Sequence, residues 1–343
     1  MRNFKRILKT VSLFLAVIIV LSVVFGALYL RGENYDYQDY RERDALAGEL
    51  TMLINGASYV MYGIDPDVLD AYLGANVRSY NLTTSMLTLE GRYALLKKEL
   101  ERNPVKTVIL EVSPDTVTRD RSAEVPEGDL HMLGKFGTAS ERFQYFKDNF
   151  YLSEYPLAYY DVVSKGMESA IALLTGRYQK VNTVARKGFY YTLNEKRPIP
   201  TDYRAVRYVH RFPDEIPEEN VKGLERLLDL CREHGALPIL ISVPNSKAYN
   251  IMYANLDDYD RWFQDFAASH NVVYVNFNRH KEKLNLLPDE TCFYDETHLN
   301  MEGAAIFTEM LGSIISNIWY GQNYDWQFFK TIREIEYSPG FYD

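Results

Sequence analysis

The chain has 343 residues, of which 47% are hydrophobic and 25% charged, and its net charge is −9. That is ordinary globular composition, sufficient for one large domain or for a domain carrying an insertion. The acidic balance excludes the basic footprint of a nucleic-acid binder, so no nucleic-acid partner is expected.

Residues 1–10 carry Arg2, Lys5, Arg6 and Lys9, and Val11 to Leu30 then run without a charge. A helix of that length covers the roughly 30 Å hydrocarbon core of a bilayer. The basic flank predicts a cytoplasmic N-terminus and an extracytoplasmic remainder, that is, a single-pass plasma-membrane protein anchored in lipid through residues 11–30. A cleaved signal peptide is the alternative, but its apolar core is usually shorter and no Ala-x-Ala site ends this one. Residues 31–48 are polar and aromatic and read as a stalk or juxtamembrane helix.

From residue 49 the pattern changes. Leu50–Ile54 is a short apolar run that ends in Asn55-Gly56-Ala57-Ser58, a buried strand closing in a tight turn. Asp65-Pro66 opens a short helix, Val77–Leu82 is a second strand, and Met86–Arg102 has helical spacing. Thr107–Val112 is nearly continuous in apolar residues, as a central parallel strand should be. The rhythm then stops. Residues 116–217 show no clean strand, and 139–176 read as helical with Phe143, Phe146, Phe150, Leu157 and Tyr160 on one side. This stretch is expected to be a helical insertion capping the sheet's edge. The rhythm resumes with a helix over 218–234 that stops at Gly235, strands over 237–243 and 272–275, and helices over 255–269 and 301–318. Residues 319–343 form a tail. The fold class is therefore α/β: three layers, α/β/α, around a central parallel sheet.

Near the end of this domain stands Asp295-Glu296-Thr297-His298-Leu299-Asn300. An Asp three residues before a His can hold the imidazole while its other nitrogen faces a cleft, as a general base requires. Of the six histidines, His298 is the one with a carboxylate at this spacing; His131, His210, His234, His270 and His280 read as surface or structural. In an open parallel sheet, ligands bind outside the carboxyl ends of the strands. Ser58, just past the first strand, is the natural nucleophile, although a serine in a turn is more often a cap. Asn300 is placed to cap the following helix. Cys231 and Cys292 read as buried free thiols. The basic run Arg186, Lys187, Lys196, Arg197, Arg204, Arg207 and Arg211 reads as a solvated face or as a surface for an anionic polymer or lipid head groups. No metal-ligand spacing, phosphate loop or dinucleotide fingerprint is present, so neither cofactor nor metal is expected.

Four blocks carry a family resemblance. They are Leu53–Ser58, Tyr80-Asn81-Leu82, Val108–Asp115, and Asp295–Asn300 followed by Gly303-Ala304. The layout resembles the SGNH (GDSL-type) hydrolases, with a flavodoxin-like core, and more closely their membrane-anchored DltD-like branch. The resemblance spans about 49–115 and 218–318. It implies ester hydrolysis or acyl transfer, with Ser58 as nucleophile, His298 as base and Asp295 as orienter. It places the oxyanion donors at Ser58 and among Ser85, Met86, Ser113 and Asp115. Two family features are missing: the glycine after the second strand, where Thr83–Met86 stand, and the asparagine after the third, where Ser113 or Asp115 falls. Two expectations follow. One is an esterase or acyltransferase acting on acyl groups of a cell-envelope polysaccharide or similar polymer. The other is a non-catalytic accessory protein that partners a membrane O-acyltransferase.

Overall fold

The computed structural model describes residues 2–31, 35–119, 127–175, 185–190, 199 and 208–337. Lys196, Arg197, Arg204 and Arg207 of the basic run lie outside the described residues, as does the end of the tail. The chain divides into two compact units, Met1–Arg41 with Leu130–Thr183, and Glu42–Asp129 with Val184–Asp343.

The second unit holds a five-stranded sheet. Its strands are β1 (Met52–Gly56), β2 (Ser79–Thr83), β3 (Thr107–Glu111), β6 (Leu237–Ser242) and β7 (Val273–Asn276). They lie in the order β2-β1-β3-β6-β7, with every pairing parallel. Successive strands go to one side of β1 and then to the other, which leaves a crevice between the carboxyl ends of β1 and β3. The strands are buried on both faces because helices cover both. Met52, Ile54, Ile109, Ile239 and Ile241 pack with Phe307, Leu311 and Ile314 of the helix Met301–Trp319. Leu53, Val108, Leu110 and Leu240, alternating with them, are buried on the opposite side. There they meet α5 (Leu89–Arg102) and the helix Glu218–Glu233, whose Leu224, Leu227, Leu228 and Cys231 face inward as their spacing predicts. Removing a core ring such as Phe307 would cost about 3–5 kcal/mol.

Local signals set the helix starts. Asp65 accepts the Asp67 N–H ahead of α4 (Pro66–Leu73), and Thr88 accepts the Gly91 N–H ahead of α5. Asn300 Oδ1 accepts the Gly303 N–H at 3.0 Å, capping the helix Met301–Trp319. Both cysteines are buried free thiols.

A two-stranded hairpin, β4 (Ala185–Arg186) and β5 (Phe189–Tyr190), lies against the edge strand, where the Asn81 N–H donates to the Lys187 carbonyl at 2.9 Å. Of the basic run, Arg186 is exposed, as a solvated face requires, whereas Lys187 is half-buried. Arg186 pairs with Asp67 at 2.9 Å, and Lys187 pairs with Asp67 and Asp70 at 2.9 and 2.6 Å. The short α6 (Pro114–Thr118) follows β3.

The first unit contains α1 (Arg2–Arg31), α8 (Ala139–Asn149) and α9 (Tyr155–Leu174), with Asp39 and Lys135 forming a buried ion pair at 2.9 Å. Within α1, Lys5–Phe25 is long and apolar enough to cross a membrane. The segment 35–45 forms a helix, α2, and 127–135 another, α7. Of the stretch 116–217, residues 130–183 group with α1, and the hairpin at 185–190 lies against the sheet's edge. The aromatics of 139–160 do not share one buried face. Tyr145 and Phe150 are buried, but Phe143 and Tyr160 are each 67% exposed. The chain leaves the helix at Phe150 and starts again at Tyr155, so the period does not run through.

Candidate active site

Ser58 is the first residue of α3 (Ser58–Gly63), directly beyond β1. As such, its backbone N–H has no intrahelical acceptor and points out of the helix N-terminus. The Ser58 Oγ lies 2.8 Å from His298 Nε2. The other ring nitrogen, Nδ1, lies 2.9 and 3.0 Å from the two carboxylate oxygens of Asp295. Residues 240 positions apart are thus joined in one relay, nucleophile to imidazole to carboxylate.

The Asp-x-x-His spacing works through a single oxygen. Asp295 Oδ1 accepts the backbone N–H groups of Thr297 and His298 at 2.9 and 2.8 Å, and the Thr297 hydroxyl at 3.0 Å. The turn therefore winds around the carboxylate and delivers the ring to it. Partial burial works against ionisation of Asp295, but the His298 ring and these N–H donors outweigh it and hold the carboxyl well below the usual carboxylate range. With the carboxylate ionised, Nδ1 carries the proton and Nε2 is left to accept from Ser58.

The loop is anchored on both sides. Tyr294 N–H donates to the His298 carbonyl at 2.8 Å, and Asn300 N–H to the Cys292 carbonyl at 3.0 Å. Ser246 N–H donates to the Glu296 carbonyl at 3.2 Å, and Asn245 Nδ2 contacts the Thr297 carbonyl at 3.5 Å. Asn245 is held in turn by Asn278 Oδ1 at 2.9 Å, and the buried Lys283 Nζ donates to the same oxygen at 3.2 Å. Burial lowers the Lys283 pKa to about 7, with Asp289 pulling the other way. A lowered folded value means that the unfolded chain binds more protons, so this group makes stability rise as pH increases from about 7 toward 10. Lys283→Met is expected to raise the melting temperature near neutrality and to flatten its rise at alkaline pH, as read by calorimetry.

Beneath the nucleophile lies a second buried set that the sequence did not reveal. Glu111, the last residue of β3, accepts the Ala57 N–H on Oε2 at 3.2 Å and Arg92 Nη2 at 2.8 Å. Arg92 Nη1 donates to the Glu111 carbonyl at 2.6 Å, and Asn55 Nδ2 to the Arg92 carbonyl at 3.2 Å. Gly56 makes room for this. A Cβ there would stand 2.5 Å from Val60 Cγ2 and 2.7 Å from Glu111 Cβ. The carboxylate orients the peptide just before Ser58, and a misplacement of about 1 Å can cost roughly 100-fold in rate. Glu111→Met, which removes the acceptor, is expected to lower kcat about 100-fold with KM unchanged. Glu111→Gln, which keeps an acceptor, should retain most of the rate; equal losses in the two folded variants would refute the positioning role. Both variants leave Arg92 buried without its charge partner, at a cost of about 3–5 kcal/mol in stability.

The tyrosines beside the imidazole were also missed. Tyr62 meets His298 edge-on at 5.1 Å between centroids and Tyr59 lies at 5.7 Å, while Tyr190 of β5 packs on Tyr62 at 5.4 Å. The available signal was the spacing of Ser58 and Tyr62, four residues apart on one short helix. The Tyr59 and Tyr249 hydroxyls lie 3.5 Å apart, and both are pushed up in pKa, chiefly by burial, with the nearby Asp115 carboxylate adding to it.

The remaining predicted donors are placed as follows. Ser85 and Met86 occupy the loop after β2, whose last residue, Thr83, pairs with Gly56. Ser85 is half-buried, and Met86 is exposed with φ 55° and gives its carbonyl to Arg119 at 2.8 Å. The Ser113 backbone N–H is not available as a donor. It goes to Thr116 Oγ1 at 3.0 Å, and the Ser113 hydroxyl contacts the same oxygen at 3.1 Å, because the residue caps α6. Asp115 is exposed beside the tyrosines, and its carboxylate is an acceptor rather than a donor. Among the described residues, no group of three His, Cys, Asp or Glu is arranged to hold a metal ion.

No family model matches the chain, and no curated protein matches it. Among solved structures, the chain is similar to a GDSL-like lipase from Bacteroides thetaiotaomicron. The two are 11% identical over 83% of this chain and 99% of the other, with a TM-score of 0.40. At that level of likeness, function has to be argued from the geometry of the site.

Proposed function

We propose that the protein is a membrane-anchored serine esterase or acyltransferase. The observation that carries this reading is the relay Ser58 Oγ to His298 Nε2 at 2.8 Å and His298 Nδ1 to Asp295 at 2.9 Å. Ser58 Oγ attacks an acyl carbonyl as its proton passes to Nε2. The tetrahedral intermediate collapses, the ester oxygen leaves with the proton from Nε2, and Ser58 holds the acyl group. Water or an acceptor hydroxyl, deprotonated by the same nitrogen, then releases it. The Ser58 N–H at the helix start is the first oxyanion donor, and the Ser85–Met86 loop is the adjacent source of another.

The basic flank and apolar run of α1 support an anchor crossing the plasma membrane with the site on the extracytoplasmic side. There, the accessible acyl esters belong to cell-envelope polysaccharides and related polymers. A second reading has one specific observation in its favour. Ser113 is consumed as a helix cap and Asp115 presents negative charge where a donor is expected. That arrangement suits an accessory protein that holds an acylated polymer for a membrane O-acyltransferase. Full-length protein treated with a fluorophosphonate and then digested separates the two. Modification of Ser58 supports the enzyme. A folded, unmodified protein that also fails to hydrolyse an aryl acetate leaves the accessory reading.

A further inference from the structure

We propose that α9 packs along α1 at the bilayer, with Tyr160, Met167, Ile171 and Leu174 in contact with lipid. This rests on α1 crossing the membrane, and it adds a second surface to that anchor. The two helices meet closely in one compact unit: Gly166 is buried, and a Cβ there would stand 2.2 Å from the Phe25 carbonyl oxygen. Phe25 closes the apolar stretch Lys5–Phe25, so the contact falls at one end of the span. Ala170 follows Gly166 by one turn, which makes a small-x-x-x-small pattern of the kind that lets helices approach in lipid.

What α1 leaves uncovered on α9 is apolar. Tyr160, Met167, Ile171 and Leu174 recur at helical spacing, and Met167, Ile171 and Leu174 are 46%, 54% and 87% exposed. Leu173, on the other flank of Gly166 and Ala170, is 49% exposed, and Leu152, just before the helix, 81%. At 100° per residue, the exposed Glu168 falls off this stripe. The stripe and Leu173 flank the line on which Gly166 meets α1.

The occupant is the bilayer rather than a protein because of what the stripe adjoins. Val17, Val20 and Val24 of α1 are themselves exposed, and a helix diameter is about 10 Å, so the α9 stripe stands at the border of the same hydrocarbon. A run of exposed apolar side chains of this kind marks an interaction surface. Packed along α1, α9 turns this stripe toward the lipid that surrounds α1, and Tyr160 suits the headgroup level.

The test uses full-length protein in phosphatidylcholine and phosphatidylglycerol nanodiscs. Single Met167→Cys, Ile171→Cys, Leu174→Cys, Glu168→Cys and Val17→Cys variants carry an environment-sensitive fluorophore, the native thiols being buried. The expected result is emission lost to doxyl-labelled lipid at 167, 171, 174 and 17, and lost to aqueous iodide at 168. Lipid quenching at 17 with iodide quenching along the stripe overturns the proposal and leaves the anchor standing. Iodide quenching at 17 as well overturns both. A stripe reached by neither quencher means that protein covers it, which also overturns the proposal.

Discussion

Ser58→Ala is expected to abolish turnover of an aryl acetate, with a loss of about 10⁶-fold in kcat. The magnitude follows from the relay acting as a unit. Removing Oγ takes away the attacking atom and the group for which the His298 base is positioned, leaving water to attack without orientation. His298→Ala should cost nearly as much, and the double variant little more than either alone, because one linked function is being removed. Additive losses would mean that the two residues act separately, which contradicts their 2.8 Å contact. The fold should survive Ser58→Ala, since Ser58 is half-buried at the start of a short helix whose neighbours Tyr59 and Val60 supply the packing. Unchanged thermal unfolding beside lost turnover is the pairing to measure.

Asp295→Asn is expected to lower kcat by about 10⁴ while leaving the loop in place. An Asn Oδ1 can still take the N–H groups of Thr297 and His298 that shape the turn. Its NH₂ then faces His298 Nδ1 and requires that nitrogen to accept. The proton moves to Nε2, which can no longer receive one from Ser58. A second measurement separates this from simple unfolding. The Asp295 carboxyl is held below its ordinary value, so its contribution to stability is present above about pH 4 and is lost as pH falls through the lower folded value. The gap in melting temperature between the parent and Asp295→Asn should therefore be full at neutral pH and close only under strongly acid conditions. The acid limb of the parent's activity should not coincide with that closure.

Both predictions concern residues whose chemistry was written in short stretches of chain. Asp295 and His298 are three apart, and the turn that joins them is closed by bonds within those few residues. Thr88, Asp65 and Asn300 likewise cap helices through neighbours two or three positions away. The strands were legible because a parallel strand covered on both faces must be apolar throughout, as Met52–Ile54, Val108–Leu110 and Ile239–Ile241 are.

Glu111 and Arg92 show the opposite case. In sequence, one is a charged residue ending an apolar run and the other a charged residue in an amphipathic helix, where exposure is the ordinary expectation. Their partnership beneath Ala57 exists because β3 lies beside β1 and α5 packs over both. Ser113 reads in sequence as a donor at a strand end, and the chain instead turns into α6, where its N–H goes to Thr116 Oγ1 and its hydroxyl contacts the same oxygen. The aromatics of 139–160 fail as one stripe for a related reason. Periodicity predicts a face only while the helix continues, and the chain breaks it between Phe150 and Tyr155.

By itself, then, the sequence determined the alternation of strands and helices, the caps, the apolar N-terminal helix and the Asp-x-x-His turn. All of these rest on interactions that close within a few residues or on a period that burial imposes. The tertiary structure alone decided which carboxylate sits under the nucleophile, that Ser113 is spent on Thr116, and that α9 packs on α1. Those contacts depend on how the chain turns and how whole elements pack, which no local pattern specifies.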